Sequence, residues 1–69
     1  METTLMEVFS LEEGDQIIHQ GAMFLITSME NGEDGGIDIF CTDEEGYRRV
    51  IHASGAMDKI RLVVEDDSL

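Results

Sequence analysis

His19, Cys41 and His52 are the side chains whose chemistry could serve soft-metal binding or nucleophilic attack. A structural zinc site takes four such ligands, commonly as closely spaced pairs. Here the separations are 22 and 11 residues, with no pair. A Cys–His nucleophilic centre needs an orienting carboxylate and a cleft, and acids are so abundant in this chain that their presence selects nothing. A harder site is suggested by "MENGEDGGIDIFC", residues 29 to 41. With Gly35 as the loop's sixth residue, Glu30, Asp34 and Asp38 occupy oxygen-supplying positions of a helix-loop-helix calcium loop, and Ile37 the central apolar one. The third position is Gly32, which has no side chain, and the twelfth is the thiol of Cys41 where a bidentate carboxylate belongs. The flanks read as strands. No cofactor is expected, weak divalent-metal binding by the clustered acids is a remaining alternative, and no catalysis is expected.

The elements that hold these residues are short. "GDQIIHQG" is a strand with Ile17 inward, followed by a tight turn at Gln20 and Gly21. "AMFLITSME" is a nearly continuous apolar strand with Phe24 and Ile26 toward the core. After "NGEDGG", the run "IDIFCTD" alternates, with Ile37, Ile39 and Cys41 on one face and Asp38, Phe40 and Thr42 on the other. "DEEGY" is a hairpin turn needing positive φ at Gly46, and "YRRVIHA" is the return strand. "SGAMD" reads as a single helical turn. "KIRLVVE" alternates again, placing Ile60, Leu62 and Val64 inward and Lys59 and Arg61 outward. These features define an all-β fold: a small five-stranded antiparallel barrel over residues 12–65, with one short helical turn before the last strand. Residues 1–11 form a short strand or lead-in, and 66–69 a frayed acidic tail.

The residues "GDQIIHQGAMFLI", the acidic hairpin "TDEEGYRRV" and the one-turn connector before an alternating strand resemble the Src-homology-type, Tudor and KOW small β-barrels. The resemblance is one of fold pattern and implies no particular binding residue. Those families build ligand grooves from several surface aromatics, whereas this chain has only Phe9, Phe24, Phe40 and Tyr47.

Charge is more directive. Sixteen acids stand against four bases, giving a formal charge of −12 in 69 residues. Residues 1–47 hold twelve of the acids and no Lys or Arg; Arg48, Arg49, Lys59 and Arg61 all follow. Phosphate backbones are bound by clustered Lys and Arg, so direct nucleic-acid binding is not expected, and anionic membranes are disfavoured for the same reason. A lone cysteine and the lack of a leader or spanning segment read as a complete, soluble, cytoplasmic product.

The expectation is a non-catalytic module that binds a basic protein surface, including that of a nucleic-acid-binding protein, through Glu30, Glu33, Asp34, Asp38, Phe40, Asp43, Glu44 and Glu45. Irregularly spaced carboxylates imitate nucleic-acid phosphates, and Phe40 with Met29 would add an apolar anchor. In size and charge the chain is similar to bacteriophage accessory proteins that inhibit or redirect host machinery. The alternative is a structural or assembly subunit that forms a homo-oligomer or part of a larger complex through "KIRLVVE" and the apolar Met, Phe and Val residues outside the core.

Overall fold

The computed structural model describes residues 2–64, so the tail at 66–69 lies outside the described residues. Six strands follow in order: β1 (Glu2–Glu7), β2 (Gln16–His19), β3 (Ala22–Asn31), β4 (Ile37–Thr42), β5 (Arg48–Ala53) and β6 (Lys59–Val64). They form one antiparallel sheet in the order β1-β6-β2-β3-β4-β5. The all-β class and the strand assignments from β2 onward agree with the sequence pattern.

Two features of the expected architecture are corrected. The N-terminal segment is a full sixth strand, paired along its whole length with β6 from Glu2↔Val64 to Glu7↔Lys59. Its weak alternation leaves short strand and lead-in both open and does not place it in the sheet, because only its inward residue Met6 packs on the core. The helical turn does not precede the last strand. Residues 54–58 instead make a tight turn closed by Asp58 N–H to Gly55 C=O (3.2 Å), with the Asp58 carboxylate accepting from Ser54 N–H (2.9 Å) and Oγ–H (2.6 Å). The single 3-10 turn among the described residues lies at Val8–Ser10, after β1. It docks on that tight turn through Val8 N–H to Asp58 C=O (2.8 Å) and Phe9 N–H to Ala56 C=O (3.1 Å).

The turns follow the residues they need. Gln20 and Gly21 both have positive φ (52° and 79°), the combination that a two-residue hairpin with native twist requires. Gly46 sits at φ 90° in the β4–β5 hairpin, as its place in "DEEGY" demands.

The core lies on one face of the sheet. Ile17 and Ile39 are fully covered, Val8, Ile26 and Cys41 nearly so, and Leu11, Ile37, Ile51, Ala53 and Ile60 complete the cluster. Removing one such isoleucine from water contributes about 1.5–3 kcal/mol. In β3 the alternation breaks once: Ile26 pairs with Cys41 and Ser28 with Phe40, leaving Thr27 as the extra residue of a β-bulge. The bulge lets Phe24, Ile26 and Met29 all reach the core side of one bent strand, and Thr27 Oγ donates to the Phe40 carbonyl (3.0 Å). Leu62 packs on the core as expected, whereas Val64, at the strand end, is 39% exposed. The outer edges of β1 and β5 carry no backbone ladder among the described residues, so the sheet is open in its hydrogen bonding.

Candidate functional site

The acids selected from the sequence converge on β4 and its two ends. Because β4 alternates strictly, Asp38, Phe40 and Thr42 stand on the outer face, opposite the buried Ile37, Ile39 and Cys41. Register places Glu30 of β3 and His52 of β5 on either side of Asp38, and Ser28 and Val50 on either side of Phe40. Glu33 and Asp34 belong to the loop that enters β4. Asp43, Glu44 and Glu45 form the turn that leaves it. The two acidic groups are therefore not one cluster: six strand residues, roughly 17 Å of chain, separate them. Between them lie Phe40, half-buried, and Val50, exposed. Met29, expected to join this apolar patch, instead packs on the core, because the bulge at Thr27 shifts its parity.

Three of the selected carboxylates are engaged within the chain. His52 Nδ1 lies 2.7 Å from Asp38 Oδ1, and His52 Nε2 lies 3.1 Å from Asp34 Oδ2. The other Asp34 oxygen accepts the Gly36 N–H (3.0 Å), which folds the loop back on itself. That fold presses Gly36 so tightly on β5 that a Cβ would stand 2.4 Å from the Ala53 carbonyl oxygen and 2.8 Å from His52 Cε1. The hydrogen bond to Asp38, reinforced by the charge of Asp34, raises the His52 pKa above its ordinary value. The Gly36 amide, with His52 nearby, holds the Asp34 carboxyl below the usual range.

Asp43 does comparable work at the other end. Its Oδ1 accepts the Glu45 and Tyr47 amides (both 2.9 Å), and its Oδ2 accepts Arg49 Nε (3.1 Å). Partial desolvation acts to raise its pKa, but the Tyr47 amide and Arg49 outweigh it and the net shift is downward. Glu30, Glu33, Glu44 and Glu45 make no side-chain hydrogen bond or ion pair among the described residues, which leaves their charge to the solvent.

The elements of a nucleophilic centre do not meet. Cys41 is buried on the inner face, with its thiol aimed at the Arg49 carbonyl (3.6 Å), and burial pushes its pKa up. His52 stands on the outer face with both ring nitrogens taken by carboxylates. Sequence reasoning selected Asp34 and Asp38 but not His52 as their partner. Only the β4–β5 register, which sets Asp38 against His52, could have revealed it. No group of three or more Cys, His, Asp or Glu side chains among the described residues is arranged to hold a metal ion.

No protein-family model matches this chain, and no curated protein matches it in sequence.

Proposed function

We propose that this chain is a non-catalytic, acidic protein-binding module. Its outer β3–β4–β5 face docks on a basic surface of a partner, such as the Lys- and Arg-lined groove of a nucleic-acid-binding protein. One observation carries this reading: twelve acids and no base in residues 1–47. The four uncommitted glutamates, Glu30 and Glu33 at one end of β4 and Glu44 and Glu45 at the other, would supply the long-range attraction. Phe40 and Val50 would supply the apolar contact between them. Asp34, Asp38 and Asp43, bound internally, would set the shape on which the glutamates are displayed. Occupying a partner's basic groove makes the module an inhibitor or modulator, and its single buried thiol suits a reducing compartment such as the cytoplasm.

On this proposal the sheet is the wall of a small barrel. Support comes from the bend at Thr27 and from the Val8–Ser10 turn, whose Val8 shares one depression with Met29 and Ile37.

Titration against a panel of basic proteins and Arg-rich peptides tests the reading. Affinity is expected to fall steeply between about 0.05 and 0.5 M salt, as the screening length shrinks from above about 10 Å to a few ångströms and weakens the attraction between the glutamates and the partner's cations. Binding that ignores salt across the whole panel, or no binding at all, overturns it.

A further inference from the structure

The two open strands at the ends of the sheet have matching chemistry. Antiparallel pairing turns the backbone N–H and C=O of alternate residues toward one neighbour. Asp43 N–H donates to the Tyr47 carbonyl (2.9 Å) and the Arg49 carbonyl faces Cys41, so Arg49, Ile51 and Ala53 direct their backbone groups to β4. Arg48, Val50 and His52 therefore direct theirs to the open edge. Val8 N–H donates to Asp58 C=O (2.8 Å), which by the same alternation assigns Met6, Thr4 and Glu2 to β6. Thr3, Leu5 and Glu7 are left facing the open edge of β1. Each edge is six residues long, without proline and without a bulge, and the charges they do carry are of opposite sign, acidic on β1 and basic on β5.

We propose that the open edge of β5 pairs antiparallel with the open edge of β1 of a second copy of this chain, joining copies head to tail. Laid over their full lengths, Arg48–Ala53 against Glu2–Glu7, the edges bring Arg48 opposite Glu7, Val50 opposite Leu5 and His52 opposite Thr3. All six side chains lie on the outer face. Val50 and Leu5 are 58% and 55% exposed in the single chain and would cover each other. Arg48 has no ion-pair partner among the described residues and gains one in Glu7. The two symmetric pairings are poorer. Joining two β5 strands about Val50 sets Arg48 against His52, which is cationic when protonated. Joining two β1 strands about Leu5 sets Glu7 against Thr3, where the nearby cation, Arg61, already donates to Thr3 Oγ (2.9 Å), and leaves Arg48 without a partner. A head-to-tail interface leaves an open edge on every added copy, so it builds rings or chains and does not stop at dimers.

This interface goes beyond binding of a basic partner and responds oppositely to salt. With −12 on each copy, long-range repulsion opposes assembly, so screening it strengthens association, whereas docking on a basic surface weakens. Failure of either is thus visible without the other.

Sedimentation of the full chain at rising concentration, in low and high salt, is expected to show mass above the monomer, and more of it in high salt. Val50→Lys removes one edge and Leu5→Lys the other. Both positions are exposed, and circular dichroism confirms that each variant keeps its strands. Each alone is expected to run as a monomer, and an equimolar mixture as a dimer through the intact edge of each. A monomer under every condition overturns the proposal. So does Leu5→Lys or Val50→Lys assembling alone, which would assign the contact to a symmetric pairing.

Discussion

His52 and Asp38 face each other across the β4–β5 ladder as a non-hydrogen-bonded pair, 2.7 Å from imidazole Nδ1 to carboxylate Oδ1. Such pairs bring their side chains closest. The imidazole's second nitrogen reaches back to Asp34, so one residue of β5 fastens the whole acidic loop to the sheet.

That clasp should be visible as a pH-dependent stability. His52 has its folded pKa raised above 6.5, so its contribution is complete below that value and is lost as pH rises through the folded pKa. Asp34 is depressed below 3.8, so its contribution is present above that value and fades as pH falls through the lower folded pKa. The two coexist between about pH 3.8 and 6.5. The melting temperature of the native chain minus that of His52→Gln is expected to be largest in this window and to shrink toward alkaline pH. A difference flat from pH 5 to 9 would remove the clasp as a stabilising element.

Gly36 is the other half of the same fastening. Gly36→Ala forces a methyl group into the Ala53 carbonyl, which cannot retreat without breaking the β4–β5 end, and pushes the His52 ring away from Asp34 and Asp38. Overpacking of this kind costs about 1–3 kcal/mol in denaturant unfolding. Gly55, with nothing within 4 Å of its virtual Cβ and no positive φ, is the control. There alanine is expected to be neutral, or to gain up to about 1 kcal/mol by restricting the unfolded chain.

How much of this was readable in advance depended on locality. β4 declared itself because strict alternation over six residues has one interpretation. In β3 the bulge at Thr27 interrupts the period, so "AMFLITSME" reads as continuously apolar, and the pattern puts Met29 at the surface whereas it belongs to the core side. The sequence leaves β1 open between a short strand and a lead-in because an edge strand needs little burial: its identity comes from pairing with β6, more than fifty residues away in sequence. The acids of the candidate site could be named individually. Their division into internally bound aspartates and free glutamates could not, since His52 is 18 residues from Asp34 and 14 from Asp38.

The centre of the inner face should be the least tolerant position. Ile39 is fully buried at the middle of β4, flanked by Met29 and Ile51. Ile39→Ala is expected to cost about 2–5 kcal/mol, a large fraction of the stability of so small a domain. Val50→Ala, on the opposite face of the neighbouring strand and 58% exposed, should stay within about 0.5 kcal/mol. Equal losses at the two sites, measured by urea unfolding, would mean that the two faces had been assigned wrongly.

The β4–β5 hairpin separates carboxylates that build structure from those available to a partner. Asp43→Ala strips two backbone amides and Arg49 Nε of their acceptor, so the melting temperature should fall and the amides of Glu45 and Tyr47 should lose protection in hydrogen exchange. Glu44→Lys and Glu45→Lys remove no hydrogen bond recorded among the described residues. Together they should leave the melting temperature nearly unchanged, or raise it by easing self-repulsion, while sharply weakening binding to any basic partner and flattening its salt dependence. Combining them with Glu30→Lys and Glu33→Lys at the far end of β4 separates a single acidic contact from a two-ended one. If both ends engage at once, each pair of reversals weakens binding severalfold and the two effects add in free energy, because the sites are too far apart to couple directly. If only one end engages, its pair of reversals accounts for nearly all of the loss and the other pair is silent, which would confine the docking surface to one turn of the hairpin or one loop.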